Sequence, residues 1–218
     1  MCCSGNGSIT IGDHDIKSAH IEKVNKVIIL SNNRIASSSK DSTIKIWEYN
    51  SDSDLPIKIL TEHKRETTSL LYIEERDLLI SGSRDSTLRL WNMTTYQCVS
   101  VFMRIECMNN NGLCQIDRDR IAVGTDVGLV IVNINKGEIE GRYYDIKLLW
   151  INCIIKMKNK LICGCGYNLL CEFDLKIKKM KFLEIKAEDV KTLLKIDETT
   201  FITGGNFRET INIWSISN

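Results

Sequence analysis

The sequence predicts an all-β protein in which about five four-stranded antiparallel blades stack around an axis. Most of the chain alternates apolar and polar residues with the two-residue period of strands, and the α-helical period is nearly absent. One strand pattern recurs five times, at intervals of 41 to 44 residues. Because a four-stranded sheet cannot bury both faces alone, repeated sheets of this kind are stable when they stack on one another.

The five copies align on the residue that ends the apolar run of the third strand. In the second copy this run is "STLRLWN" and the residue is Trp91. The equivalent positions in chain order are Trp47, Trp91, Val132, Phe173 and Trp214. Unrelated alternating strands would not keep such a register, so the spacing indicates a repeat.

Each copy carries the signals of its strands in a fixed order. In the second copy, "TTSLLYIEE" predicts the inner strand and "LLISGS" the next strand. A tight turn around Asp85 precedes the third strand. The first four copies are followed by segments that predict an outer strand: "LPIKILTEH", "CVSVFMRI", "EIEGRYYD" and "KKMKFLEI".

These copies resemble WD40 repeats, and the resemblance covers the chain from about residue 8 to residue 218. It implies a β-propeller whose blades are each held by a structural tetrad of His, Ser or Thr, Asp and Trp. Two blades carry the full set: His20, Ser37, Asp41 and Trp47 in the first, and His63, Ser81, Asp85 and Trp91 in the second. The later blades lack part of the set, which leaves their turn geometry open.

The fifth copy lacks an outer strand of its own after its third strand. One interpretation is that residues 8–19 supply this outer strand and close a single five-bladed domain over residues 1–218. The alternative is that the chain is a fragment of a larger, seven- or eight-bladed propeller. The sequence favours neither.

Composition limits the class of protein. The 29 basic and 28 acidic residues give a net charge of +1, so neither a nucleic-acid nor a membrane partner is expected. The Lys-rich segment 176–186 is typical of a soluble outer edge strand. The start of the chain does not resemble a signal peptide, and nine scattered Cys favour reduced thiols, so we expect a cytoplasmic protein, with a nuclear location also compatible.

No combination of residues predicts catalysis. The only three His are His14, His20 and His63, and the resemblance assigns the last two to tetrads. Phosphate-binding loops and zinc or serine-nucleophile motifs are absent from the sequence. Cys163, Cys165 and Cys171 lack the spacing of a zinc site. We therefore expect no enzyme activity, no cofactor and no metal.

In WD40 proteins the loops at one end of the blades form a binding face, here called the top face. The resemblance places on it the residue before the tetrad Asp, and the residue that enters each inner strand. The predicted partner-binding residues are Lys40, Arg84, Lys191, Trp150, Thr68 and Asn25, with Asn109 and Asn110 as the neutral equivalents in blade three.

The resemblance therefore predicts a non-catalytic scaffold for protein–protein interaction. The alternative is a module that recognises an acidic or phosphorylated peptide within an assembly like a ubiquitin ligase, because Arg84 could bind a phosphate with two hydrogen bonds. In either case the partners are proteins or peptides.

Overall fold

A computed structural model describes residues 2–3, 7–11, 14–49, 51, 53–105, 112–144, 150–166, 169–184, 190–205 and 211–215. Apart from one 3-10 turn at Glu74–Arg76, the regular structure of these residues is β. The all-β prediction is therefore confirmed. The chain divides into two compact units, residues 1–108 and 109–218.

The first unit contains a small N-terminal sheet and two four-stranded antiparallel blades. The N-terminal sheet consists of β1 (Cys2–Cys3), β2 (Ile9–Ile11) and β3 (His14–Ile16). Blade one consists of β4 (Val24–Ile29), β5 (Arg34–Ser39), β6 (Ile44–Glu48) and β7 (Lys58–Leu60), and blade two of β8 (Thr67–Ile73), β9 (Leu78–Ser83), β10 (Thr87–Asn92) and β11 (Gln97–Met103). Each strand pairs with the next one along the chain, as the repeat predicts.

The second unit contains the other three blades. Blade three consists of β12 (Leu113–Gln115), β13 (Arg120–Gly124), β14 (Gly128–Asn133) and β15 (Glu138–Tyr144). Blade four consists of β16 (Ile151–Met157), β17 (Lys160–Cys165), β18 (Leu169–Asp174) and β19 (Lys179–Glu184). Blade five has three described strands, β20 (Val190–Lys195), β21 (Thr200–Gly205) and β22 (Ile211–Ser215).

The N-terminal segment differs from the single outer strand expected over residues 8–19. It forms two short strands, β2 and β3, which pair with each other, while β2 also pairs with β1. The physical reason is burial: Ile9 and Ile16 pack against Ile35 and Trp47 of blade one. The apolar side chains of Ile9 and Ile16 are therefore buried within the first unit. Closure of a ring by this segment stays a prediction.

The residues that align the repeats form the centres of the cores. Trp91 packs with Leu30, Ala36 and Ile46 of blade one, which joins the two blades of the first unit. In the second unit Val132 and Phe173 occupy the equivalent positions and are fully buried. The Phe173 ring lies 4.6 Å from the ring of Tyr143, so an aromatic contact replaces the hydrogen bond that a Trp would make.

Candidate partner-binding face

Both predicted tetrads form complete hydrogen-bond networks. In blade two, His63 Nε2 lies 2.7 Å from Ser81 Oγ and His63 Nδ1 lies 2.9 Å from Asp85 Oδ2. The Trp91 indole N–H donates to the same Ser81 Oγ at 2.8 Å. In blade one, His20, Ser37, Asp41 and Trp47 repeat these contacts with the same distances. Each network fixes the position of the turn that follows the second strand of its blade.

A fifth residue belongs to each network and was missed by the sequence argument. Thr87 donates both its backbone N–H and its hydroxyl to Asp85 Oδ1, at 2.9 and 2.6 Å, and Thr43 does the same to Asp41. The preceding serine contributes too, because Ser83 Oγ accepts the Asp85 N–H. The sequence did contain a signal for these residues, because the segments that hold them in blades one and two, "SKDST" and "SRDST", differ at only one position.

The hydrogen bonds in blade two determine the protonation of its tetrad. Burial alone would raise the pKa of Asp85, but hydrogen bonds from Thr87, the Lys64 N–H and His63 lower that pKa to about 2. Burial lowers the pKa of His63, although Asp85 acts in the opposite direction. The contacts fit a neutral imidazole that donates from Nδ1 to Asp85 and accepts the Ser81 O–H at Nε2.

We expect the thermal stability of the first unit to fall in two steps as the pH is lowered. The first step begins near the ordinary His pKa of 6.5, because the unfolded chain then takes up a proton that the folded His63 resists. The second lies between 3.8 and about 2, where Asp85 is protonated only in the unfolded chain. Melting temperatures measured from pH 8 to pH 2 test this. Asp85→Asn should reduce the second step, to which Asp41 also contributes because hydrogen bonds from His20 and Thr43 lower its pKa, and an unchanged profile in that variant would contradict the assignment.

The Ser–His–Asp connectivity of the tetrads is that of a serine-hydrolase triad, but the surroundings do not suit catalysis. Ser37 and Ser81 are completely buried, and His20 and His63 are 1% and 4% exposed. Each serine oxygen already accepts an indole N–H. A substrate carbonyl therefore has no path to the hydroxyl, and the networks serve the fold.

The two turn residues Lys40 and Arg84 lie at equivalent places in blades one and two. The Lys40 N–H donates to Lys23 O and the Arg84 N–H to Glu66 O, both at 2.9 Å. Their side chains are about half exposed, 56% for Lys40 and 47% for Arg84. We call this surface the tetrad-turn face and define it by Lys40, Arg84, Glu22, Asn25 and Glu66.

Each cation of the tetrad-turn face has an acidic partner. Lys40 Nζ lies 3.4 Å from Glu22 Oε2, and Arg84 Nε lies 3.1 Å from Glu66 Oε2. Glu66 also accepts a hydrogen bond from the Asn25 amide, which in addition donates to Thr67 O. The tetrad-turn face is therefore a set of paired charges across two blades.

Asn25 occupies a β-bulge at the start of an inner strand, and an equivalent bulge occurs in the second unit. It is the bulged residue where β4 begins, and it joins blade one to the first residue of the next inner strand. Asn152 is the bulged residue of β16, and its amide donates to Val190 O at 2.9 Å. Both bulges turn an amide toward the neighbouring blade, so these side chains connect blades.

Of three further residues predicted for the top face, Thr68 is buried, Trp150 is half-buried and Lys191 is exposed. Thr68 is 2% exposed and donates to Gly82 O, because the bulge in β8 turns its side chain inward. Trp150 precedes the bulge that Asn152 occupies, adopts φ +30° and packs its ring on Gly166. Lys191 is exposed and reaches Asn152 Oδ1 at 3.4 Å.

The structure thus links Asn25 and Arg84 through Glu66, with Lys40 at the equivalent turn of blade one. Lys191 and Trp150 belong to the second unit. Asn109 and Asn110 lie outside the described residues.

The cysteines of blade four lie inside the sheet. Cys163 and Cys171 face each other across β17 and β18 and are completely buried. The hydrogen bond with Cys171, together with burial, raises the pKa of Cys163 well above its ordinary value, and burial raises the pKa of Cys165. Within the described ranges no group of three or more His, Cys, Asp or Glu is arranged to hold a metal ion.

Blades one and two also match a known family in sequence. Residues 14–48 and 55–92 match the model for the WD domain, G-beta repeat, and these ranges contain the two complete tetrads. Blades one and two each match a WD40 repeat. A comparison with curated proteins finds no significant match.

Solved structures of WD40 propellers share the fold. One, described as the structure of U3-55K, is 11% identical with a TM-score of 0.76 over 88% of this chain. Another, the crystal structure of RRP9 WD40 repeats, is 12% identical with a TM-score of 0.77 over 89% of this chain. In both cases the match covers 61% of the other chain. At these identities the likeness establishes the WD40 propeller fold alone.

Helices long and apolar enough to cross a membrane do not occur in the described part of the chain.

Proposed function

We propose that the chain is a non-catalytic protein-interaction scaffold that binds an acidic segment of a protein partner at the tetrad-turn face. WD40 propellers generally act as interaction modules, which supports the general role. The observation that carries the specific site is the equivalent, half-exposed placement of Lys40 and Arg84 on turns that the tetrads hold in place. We place this role in the cytoplasm.

Rigid turns and exchangeable ion pairs suit such a face. The pairs with Glu22 and Glu66 are partly open to solvent, and ion pairs of this kind contribute little to stability, about 0 to 1 kcal/mol. A partner carboxylate can therefore approach the two cations at small cost to the fold. Because the turns are already ordered, binding loses little conformational entropy.

The geometry does not favour the phosphopeptide alternative. A phosphate carries about two negative charges and is usually bound by several unpaired arginines. On the tetrad-turn face the one arginine, Arg84, already binds Glu66, and the lysine, Lys40, faces Glu22. A singly charged carboxylate fits this balance better than a phosphate.

We expect Lys40→Glu with Arg84→Glu to abolish partner capture and leave the fold intact. Both side chains are about half exposed, so the loss of each ion pair should change the free energy of unfolding by only about 1 kcal/mol. The measurement is quantitative mass spectrometry of proteins retained from lysate by the immobilised chain, with melting temperatures recorded in parallel.

The matched control is Lys17→Glu with Lys58→Glu, which makes the same change in net charge at two other exposed lysines of the first unit. Proteins retained by the wild type and by this control, but lost from the tetrad-turn variant, support the proposal. If the tetrad-turn variant retains the same proteins as the wild type, this face is not the binding site.

A further inference from the structure

The third strand of blade five has an edge to which no other described strand is bonded. β22 pairs with β21 alone among the described residues. In each of the other four blades the equivalent strand bonds an outer strand that runs antiparallel to it. The unpaired N–H and C=O groups along such an edge can form a complete set of hydrogen bonds with an added strand.

A cavity lies next to this edge, between blades four and five. Its volume is about 230 Å³, and its floor is apolar, with Ile162, Leu170, Phe201 and Trp214. Leu183 of β19 also lines it and is 38% exposed. Ligand sites for small molecules usually measure about 300 to 1,000 Å³, so this cavity has the size for one apolar side chain.

The other face of β22 is apolar and open. Ile211 and Ile213 are 73% and 69% exposed, and Leu194 on the same face of blade five is 62% exposed. A strand added at the β22 edge alternates its side chains between the two faces. The side chains on one face of the added strand would then enter the cavity. Those on the other face would pack beside the exposed side chains of Ile211 and Ile213.

The charges beside the cavity determine what else the added strand must carry. Lys181 lines the cavity and is exposed, and Lys179 lies two residues before it on the same face of β19. The carboxylate that lines the cavity, Glu172, already binds Lys160 at 2.8 Å. Acidic side chains on the cavity-facing side of the added strand would therefore complement Lys179 and Lys181.

We propose that blade five binds an extended segment of a partner protein, which adds antiparallel to β22 as a fourth strand. The segment places one apolar side chain in the cavity, acidic side chains two residues away against Lys179 and Lys181, and apolar side chains over Ile211 and Ile213. This site lies in the second unit and is independent of the tetrad-turn face, so either proposal can fail without the other.

The probe is the fluorescein-labelled peptide STEVLVETS, in which the leucine and the two glutamates share one face and the valines the other. Hydrogen exchange of the unbound protein is measured first. The backbone amides of residues 211–215 that point away from β21 should exchange rapidly. The peptide should then slow this exchange, and fluorescence anisotropy should show saturable binding. Replacing the peptide leucine with serine should weaken binding about tenfold, as loss of the apolar contact predicts.

Lys181→Glu is the decisive variant. It should weaken binding of the acidic peptide about tenfold and strengthen binding of the charge-reversed peptide STKVLVKTS. Lys176→Glu, in the turn before β19, makes the same charge change away from the cavity and should leave both affinities unchanged.

Three results would overturn the proposal. One is slow exchange along β22 in the unbound protein, which would mean that a segment of the same chain already covers the edge. Another is the absence of binding at peptide concentrations of about 1 mM. The third is binding that neither protects β22 nor responds to Lys181→Glu.

Discussion

Asp85→Ala is expected to lower the free energy of unfolding by about 3 kcal/mol. The carboxylate accepts hydrogen bonds from His63, from the Lys64 N–H, and from both the N–H and the hydroxyl of Thr87. The substitution leaves these donors without an acceptor in a turn that is mostly closed to water, since the Asp85 side chain is 7% exposed. Urea unfolding followed by tryptophan fluorescence measures the change, because Trp91 belongs to the same network.

The control for this prediction is Asp126→Ala in blade three. Asp126 follows the second strand of its blade as Asp85 does, but neither a His nor a Trp stands at the other tetrad positions. Because blade three has no counterpart of His63 and Trp91, removal of this carboxylate should cost less, below about 1 kcal/mol. Equal losses in the two variants would show that the tetrad does not stabilise blade two.

The tetrads could be predicted because each is specified by residues at fixed spacing within one repeat. His63, Ser81, Asp85 and Trp91 lie within one stretch of the chain, and the strand pairing brings them together without any information from other blades. The same holds for the strand order of blades one to four, which follows from alternation and turn signals.

The inner-strand positions could not be predicted with the same accuracy, for a geometric reason. A bulge near the start of β4, β8, β16 and β20 inserts one residue and changes the face on which the following side chains lie. The chain from the bulged residue to the Trp position is shorter in blade four than in blade two, so counting back by a fixed number selected Trp150 where the structure has Asn152. In blade two the count does reach the bulged residue, Thr68, but its side chain is buried, and spacing alone does not predict that orientation.

Contacts between blades were also outside the reach of the sequence argument. One of them is a polar cluster at the ends of the strands opposite the tetrad turns, centred on Arg34. Its guanidinium donates to Met93 O at 2.7 Å and to Asp77 Oδ1 at 3.2 Å, so it spans blades one and two. The partners are 59 and 43 residues away in sequence, so no pattern within one repeat connects them to Arg34.

Hydrogen bonds connect the side chains of the Arg34 cluster to one another. Asp77 Oδ1 also accepts the Tyr72 hydroxyl at 2.7 Å, and Tyr72 in turn lies 2.6 Å from Ser31 Oγ. Arg34 further donates to Ser31 O and to the Tyr96 hydroxyl. The Arg34 side chain is only 11% exposed, so these hydrogen bonds replace water that the guanidinium has lost.

Arg34→Met is therefore expected to cost about 3 kcal/mol, because it removes the cation that pairs with Asp77 and the side-chain donor to the Met93 carbonyl in a mostly buried cluster. Methionine fills much of the volume of the arginine stem, so the loss should report hydrogen bonds more than packing. Arg84→Met is the matched control: it removes an arginine from the ion pair with Glu66, but at a side chain that is 47% exposed, and should cost no more than about 1 kcal/mol. Urea unfolding of both variants measures the difference. If Arg34→Met is no more costly than Arg84→Met, the contact between blades one and two is carried by the apolar core around Trp91 and Leu30, and the Arg34 cluster adds nothing to it.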